Sequence, residues 1–123
     1  MYLTHEEVSK FKRDGFVVVE QLFSQPEVDK MIEAVERGDR VATTTRGNSD
    51  SKGRIAKLAI WHELGDDIWS AVSTCPRMVN NVRILLGEEA AFFHGKVMLK
   101  EARSGGAWEW HQDYGYWYQF GCL

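Results

Sequence analysis

Apolar residues recur at helical spacing in the first third of the chain, and this periodicity constrains the fold more than any other feature. A stripe at positions i, i+3, i+4 and i+7 consists of Val28, Met31, Ile32 and Val35. Such a stripe is typical of one face of an amphipathic helix. Ser24 and Glu27 stand at capping-box spacing before it, with Pro26 in the first turn. The pattern predicts a helix that opens at Ser24 and ends at Gly38.

Three further helices are predicted from the same kinds of signal. Thr4 and Glu7 form another capping-box pair, and this helix is expected to end at Asp14-Gly15. The segments "DDIWSAVSTC" and "PRMVNNVRILLG" predict two short helices, the second of which stops at Gly87. Helices therefore dominate the first two-thirds of the chain.

Strand-like runs lie mainly in the last third. Residues 16–20 ("FVVVE"), 55–61 ("IAKLAIW") and 90–102 are rich in β-branched or alternating apolar residues, and 108–117 is expected to be extended as well. Residues 39–53 are polar and rich in Gly, Ser and Thr, which is typical of a mobile loop. We therefore expect an α+β fold, in which helices flank a partial sheet.

Length and charge exclude several classes of protein. The chain has 123 residues, enough for one domain spanning 1–123. Its net charge of −3 argues against a general nucleic-acid binder, because phosphate binding needs clustered Lys and Arg. No apolar run approaches the roughly 20 residues of a membrane span, and the first residues lack the apolar core of a signal peptide. We expect a cytoplasmic protein in which Cys75 and Cys122 are reduced thiols.

The stretch "WEWHQDYGYW" (108–117) carries the most specific chemistry. Residues two apart on a strand project to the same face, so His111 and Asp113 would direct an imidazole nitrogen and a carboxylate oxygen to one point. These are two of the three ligands in the facial triad of non-haem iron(II) oxygenases. The alternative is a buried structural histidine that is satisfied by the neighbouring aspartate.

The aromatic residues around this motif support two other interpretations. Seven of the fifteen aromatic residues lie within residues 108–120, and without partner strands they would form an exposed apolar patch. Such a patch favours a non-catalytic binding module or self-association. A ring-stacking site built on Trp108, Trp110 and Trp117 would explain the aromatics but would leave His111 and Asp113 without a role.

Three quoted segments carry a resemblance to a known family. They are "LTHEEVSKFKRDGFVVVEQLFSQPEVDKM", "KLAIWHELGDDIWSAVSTCPRMVNNVRILLG" and "HGKVMLKEARSGGAWEWHQDYGYW". In this order they resemble the beginning of the phytanoyl-CoA dioxygenase family. The resemblance implies a double-stranded β-helix (jelly roll) that uses Fe(II), 2-oxoglutarate and O2. Such an enzyme hydroxylates a small organic substrate and releases succinate and CO2.

The resemblance also implies roles for particular residues. His111 and Asp113 match two of the family's three iron ligands. Lys57 falls where family members place a lysine near 2-oxoglutarate, and Trp117 matches a tryptophan that lies beside this cosubstrate in related ectoine hydroxylases. We add Gln112, which stands between the two ligands, to the cosubstrate-binding residues. From their alternation on the preceding strand we expect Lys96 and Met98 to line the same pocket.

Two parts of the family's site have no counterpart in the sequence. The third ligand is a histidine on a later strand, and an arginine pairs with the far carboxylate of 2-oxoglutarate. No histidine follows Asp113 and no arginine follows Arg103. A jelly roll also needs about eight strands, whereas the sequence predicts about four. We therefore expect the amino-terminal part of an oxygenase, truncated after its first metal-binding strand, or a degenerate paralogue.

Overall fold

The computed structural model of the protein describes residues 2–120. The described chain contains four longer helices, two short ones and a small sheet. The elements in order are α1 (His5–Asp14), α2 (Gln25–Arg37), α3 (Asp39–Thr44), β1 (Thr45–Ser49), β2 (Ile55–Trp61), α4 (Ile68–Thr74), α5 (Pro76–Leu86), β3 (Gly95–Leu99) and α6 (Tyr114–Trp117), followed by a 3-10 turn at Tyr118–Phe120.

The predicted helix boundaries are confirmed by their caps. The Thr4 hydroxyl accepts a hydrogen bond from the Glu7 N–H at 3.3 Å, and the Glu7 carboxylate accepts one from the Thr4 N–H at 2.7 Å. The Ser24 N–H donates to the Glu27 carboxylate in the same way, at 2.7 Å. At the other end of α1, Gly15 adopts a φ of 81°, a left-handed conformation in which a side chain would be strained.

The three strands form one antiparallel sheet in the order β1-β2-β3. Residues opposite each other in the register share a face of the sheet. On what we call the core face, Ala59 and Trp61 are buried with Val41 of α3. On the other side, called the cleft face, Leu58 and Ile60 remain partly accessible. The sheet is therefore packed on one side and open on the other.

The core is small and depends on one tryptophan. The ring of Trp61 leaves no room above Gly95, where a Cβ atom would lie 2.5 Å from two of the ring atoms. The guanidinium of Arg40 stacks on the same ring at 5.6 Å, and it is held there by an ion pair with Asp67 at 2.7 Å. Partly buried side chains that complete this cluster are Trp69, Phe92, Val97 and Leu99.

Two sequence-based assignments before β2 were wrong. Residues 16–20 form no strand, and Phe16 and Val18 stay exposed. Strand propensity is realised only where a neighbouring strand supplies partners, and residues 16–20 have none. Residues 39–53 are not one loop, because α3 and β1 occupy residues 39–49. The polar β1 becomes a strand because it pairs with β2 along its whole length, from Thr45 opposite Ala59 onwards.

The strands expected from residue 55 onwards were only partly right. The run 55–61 coincides with β2, whereas the expected strand at 90–102 shrinks to β3. The stretch 108–117 is irregular as far as residue 112, then turns into α6. The α+β class is confirmed as a mixture of helices and a three-stranded antiparallel sheet. Among residues 2–120, no helix has the length and apolar character that crossing a membrane would need.

Candidate functional site

A cleft of about 730 Å³ lies over the cleft face of the sheet. After β3 the chain turns back, and residues 106–113, here called the crossing segment, run to the cleft. The sheet contributes Arg46, Leu58, Ile60 and Lys96 to its wall. The crossing segment contributes Trp108, His111 and Asp113. The walls thus combine apolar side chains with a few charged groups, which is typical of small-molecule sites.

A glycine brings the crossing segment against β2. The Gly106 N–H donates to the Ile55 carbonyl at 3.0 Å, which continues the hydrogen bonding of the sheet beyond β3. A Cβ atom at this position would lie 2.4 Å from the Arg54 carbonyl oxygen and 3.0 Å from the Ala56 nitrogen. Because both obstacles are backbone atoms, only glycine allows this approach.

Asp50, in the turn between β1 and β2, fixes the next residue of the crossing segment. Its carboxylate accepts hydrogen bonds from the Ala107 N–H at 3.0 Å and from the Lys52 and Arg54 N–H groups, both at 2.9 Å. The Arg54 side chain pairs with the same carboxylate, and the Asp50 side chain is only 1% exposed. The Ala107 N–H is the largest cause of a lowered Asp50 pKa, followed by the Arg54 and Lys52 N–H groups.

His111 and Asp113 meet at the cleft. Nε2 of His111 lies 3.1 Å from Oδ1 of Asp113, and Nδ1 lies 2.7 Å from the Glu109 carbonyl oxygen. A carbonyl oxygen only accepts, so Nδ1 carries a proton. Nε2 donates to the Asp113 carboxylate when the ring is protonated, and turns a lone pair toward it when the ring is neutral. In the neutral form, the Nε2 lone pair and the Asp113 carboxylate oxygen can together bind a cation.

The separation of the two donor atoms fits a metal ion. Two ligands each about 2.1 Å from a metal, at a right angle to each other, are about 3.0 Å apart. The observed 3.1 Å between His111 Nε2 and Asp113 Oδ1 is close to this value. A carbonyl that orients the second ring nitrogen, as Glu109 does, is also the usual support of a metal-binding histidine. Among the described residues, no set of three His, Cys, Asp or Glu side chains is placed to hold a metal.

The backbone around this pair differs from the expectation. His111 lies in irregular backbone and Asp113 in a turn just before α6, so the two side chains do not share a face of a strand. They meet because the chain bends there. The alternative of a structural histidine satisfied by the neighbouring aspartate is right about the pairing and wrong about burial, since the Asp113 side chain is 68% exposed and that of His111 is 25% exposed.

The residues predicted for the cosubstrate divide into three groups. Lys96 lines the cleft, and Met98 shares its face because it stands opposite Leu58. Lys57 alternates with Leu58 and therefore lies on the core face, where its ammonium pairs with Glu101 at 3.3 Å. The structure does not bring it to the cleft.

Of the remaining two predicted residues, only Gln112 can be placed relative to the cleft, and it is not among the residues that line it. Gln112 is exposed beside it. The side chain of Trp117 lies outside what the structure describes, although its backbone belongs to α6. Of the cysteines, Cys75 is a free thiol as expected, and Cys122 lies outside the described residues.

Several cleft residues were missed from the sequence. Arg46 and Asn48 come from β1, which was taken for a loop, and Gln119 comes from the 3-10 turn. His94 immediately precedes β3, and its pKa is lowered, first by burial and then by the positive charge of Lys96. The alternation of Arg46 and Asn48 was the signal that could have revealed them, had β1 been paired with β2.

The comparisons with known proteins agree with one another. The sequence profile of phytanoyl-CoA dioxygenase (PhyH) matches residues 11–121. An L-proline trans-4-hydroxylase of Streptomyces griseoviridis is 29% identical over 112 residues, which is 89% of this chain and 40% of the relative. An ectoine dioxygenase of Bordetella bronchiseptica is 28% identical over 120 residues, covering 94% and 39%. The chain therefore spans about two-fifths of the length of these relatives. No solved structure gives a significant match.

Proposed function

We propose that this chain, which belongs to the phytanoyl-CoA dioxygenase family, supplies two iron ligands to an Fe(II)- and 2-oxoglutarate-dependent dioxygenase. His111 and Asp113 are the ligands, and the 3.1 Å between their donor atoms at the cleft is the observation that carries the proposal. The substrate is a small organic molecule, in keeping with the relatives named for L-proline and ectoine. The sheet β1-β2-β3 is then part of a jelly roll.

In this proposal, residues of this chain orient the metal-binding histidine and bind the substrate and the cosubstrate. The Glu109 carbonyl holds the His111 ring with Nε2 toward Asp113. Leu58 and Ile60 exclude water from one wall of the cleft and give an apolar substrate a surface to lie on. Lys96 offers a positive charge to an anionic group of the cosubstrate.

Bound iron would supply the activation of O2, with the four electrons coming from 2-oxoglutarate and from the substrate C–H bond. One oxygen atom enters the product as a hydroxyl group and the other enters succinate, and CO2 leaves. The two protein ligands of this chain leave positions on the metal for other donors.

Metal binding to the purified chain tests the proposal. Mn2+ is a paramagnetic substitute for Fe(II), and its binding broadens the NMR signals of nearby nuclei. We expect the His111 ring signals to broaden at a lower Mn2+ concentration than those of His5, an exposed histidine at the start of α1. Asp113→Asn keeps the size of the side chain and removes its charge. It should raise the required Mn2+ concentration by roughly tenfold or more.

The cosubstrate is tested in the same titration. If 2-oxoglutarate binds with the metal, adding it lowers the Mn2+ concentration needed to broaden His111, because linked binding is reciprocal. Equal broadening at His5 and His111, unchanged by Asp113→Asn, would contradict the metal site. Broadening at His111 that 2-oxoglutarate leaves unchanged would contradict its role as cosubstrate.

A second candidate function is self-association through the aromatic segment 108–120. Trp110 is fully exposed in this segment, and Tyr114 and Tyr118 are more than half exposed. Exposed aromatic side chains that lie close together favour association. Sedimentation of the chain at increasing concentration, compared with Trp110→Ser, tests this candidate. A sedimentation coefficient independent of concentration would exclude it.

A further inference from the structure

We propose that the turn between β1 and β2 positions the ring of His111, with Asp50 as the main positioning residue. The inference rests on the dioxygenase function above and names what holds its metal site in place. The Asp50 carboxylate fixes the backbone of Ala107, and the residues that follow Ala107 fix the His111 ring. Asp50 therefore acts on the site through the crossing segment.

The two oxygens of the Asp50 carboxylate have different partners. Oδ1 accepts hydrogen bonds from the Lys52 and Arg54 N–H groups, which closes the turn on itself. Oδ2 accepts one from the Ala107 N–H, 57 positions away, and pairs with the Arg54 guanidinium at 2.9 Å. A carboxylate that is only 1% exposed needs such partners, and its charge strengthens each of these hydrogen bonds. One oxygen thus forms the turn, and the other joins the turn to the crossing segment.

Two contacts extend this support from Ala107 to His111. The ring of Trp108, the next residue, lies edge-on to the His111 ring, with the ring centres 6.3 Å apart. The Glu109 carbonyl accepts a hydrogen bond from Nδ1 of His111 at 2.7 Å. The turn also reaches Glu109 directly, since the Ser51 hydroxyl donates to its carboxylate at 3.3 Å. A shift of the crossing segment would therefore move both groups that the His111 ring contacts.

The proton on the neutral His111 ring reports this positioning. The hydrogen bond that a ring nitrogen makes decides which of the two nitrogens carries the proton. While the Glu109 carbonyl stays in place, Nδ1 carries it and Nε2 is left to bind a metal. If the segment shifts, the other tautomer is populated as well. The ratio of the tautomers thus separates positioning from a contribution to stability alone.

Asp50→Asn tests the proposal in the whole chain. In either orientation, the NH2 group of the amide faces N–H donors that the carboxylate accepted from, so the turn releases the segment. Nitrogen NMR of the metal-free protein at about pH 8, above the ordinary histidine pKa, measures the tautomers of His111. We expect their ratio to shift by roughly fivefold toward Nε2–H, as the loss of one hydrogen bond allows. The Mn2+ concentration that broadens the His111 signals should rise roughly tenfold.

Glu27→Gln is the matched control, because Glu27 is also a carboxylate that joins two distant parts of the chain. It accepts a hydrogen bond from the Ser24 N–H at the start of α2 and pairs with Arg77 of α5. The same exchange there removes stabilising contacts away from the crossing segment. It should leave both the tautomer ratio and the Mn2+ concentration unchanged.

Ser51→Ala removes the second contact of the turn at an exposed position, where the fold should tolerate it. It should shift the tautomer ratio in the same direction as Asp50→Asn, but by less. If Asp50→Asn does not fold, Ser51→Ala decides: a shifted ratio supports the proposal and an unchanged ratio overturns it.

An unchanged ratio in a folded Asp50→Asn, or an equal shift in Glu27→Gln, would likewise overturn the proposal. The tautomers are measured without metal, so this result is independent of the iron site. If Mn2+ showed no preference for His111 in the wild type, the iron site would fail while the tautomer ratio still decided whether the turn positions the ring.

Discussion

Gly106→Ala is expected to damage both the stability of the protein and the proposed metal site. The added Cβ would begin 2.4 Å from the Arg54 carbonyl oxygen, whereas an ordinary contact starts at 3.4 Å. The crossing segment must therefore retreat from β2 by about 1 Å, which disturbs the bond from the Gly106 N–H to the Ile55 carbonyl. A displacement of this size is large, because the His111 and Asp113 atoms proposed to bind the metal must stay within about 0.5 Å of the geometry that binds it.

The loss of stability follows from two contributions. Forcing a methyl group into a packed position costs about 1–3 kcal/mol. Losing the Gly106 hydrogen bond adds about 0.5–1.5 kcal/mol. Together they lower the free energy of unfolding by about 1.5–4.5 kcal/mol, which corresponds to a melting temperature lower by about 6–18 °C at roughly 4 °C per kcal/mol.

Gly115→Ala is the matched control for this substitution. Gly115 lies in α6, also close to the metal ligands, but no heavy atom lies within 4 Å of an added Cβ. Alanine is favoured over glycine in a helix by about 1 kcal/mol, so this variant should melt at the same temperature or slightly higher. Thermal unfolding by circular dichroism and Mn2+ broadening at His111 measure the two effects. If Gly106→Ala melted like Gly115→Ala and bound Mn2+ like the wild type, the close approach of Gly106 to β2 would not be what holds the crossing segment in place.

Three further predictions concern the groups that hold or form the site. Asp113→Ala should abolish specific Mn2+ binding. It should change the free energy of unfolding of the metal-free protein by less than about 1 kcal/mol, because the partly exposed pair of Asp113 with His111 contributes little to stability. A clear drop in the stability of the metal-free protein would favour a structural role for Asp113. Asp50 stabilises the folded state fully above its unfolded pKa of about 3.9, and this contribution declines progressively as the pH falls from that value toward its lower folded pKa. Urea unfolding at pH 7 and pH 3 should therefore show a smaller acid-induced loss for Asp50→Asn than for the wild type, and parallel losses would contradict this. Purified residues 1–123 should not convert 2-oxoglutarate to succinate with added Fe(II), since the described residues contain the two proposed ligands and no set of three. Iron-dependent succinate formation would refute this.

The sequence predicted those elements whose signals are local. The capping pairs at Thr4 and Ser24 fixed where α1 and α2 begin, and Gly15 and Gly87 fixed where α1 and α5 end. These capping contacts join residues three or four positions apart, so a short stretch of sequence is enough to predict where the helix begins or ends.

The elements that were missed depend on partners far away in the chain. Residues 45–49 have a polar sequence and become β1 only through pairing with β2. Residues 16–20 have a strong strand composition and remain unpaired for lack of a neighbouring strand in the described sheet. Strand formation is decided by such tertiary contacts, which composition does not contain.

For the candidate site, the sequence predicted which side chains meet better than it predicted the backbone that brings them together. The spacing of His111 and Asp113 correctly indicated that the two side chains converge, although a bend brings them together rather than a strand. Lys57 and Lys96 could not be told apart by composition, because the face on which each lysine lies follows from the register of β2. The family relationship likewise identifies a kind of chemistry and leaves the orientation of individual side chains open.

The hydrogen bond from the Ala107 N–H to Asp50 also bears on how freely this protein can change in evolution. It joins residues 57 positions apart, and it ties the crossing segment to a hairpin turn. Hairpin turns at a protein surface ordinarily accept insertions and deletions with little effect. Here a lengthened turn would move the Asp50 carboxylate away from the segment that carries His111 and Asp113. Functional homologues should therefore keep the length of this turn constant while the loops on the opposite side of the sheet vary.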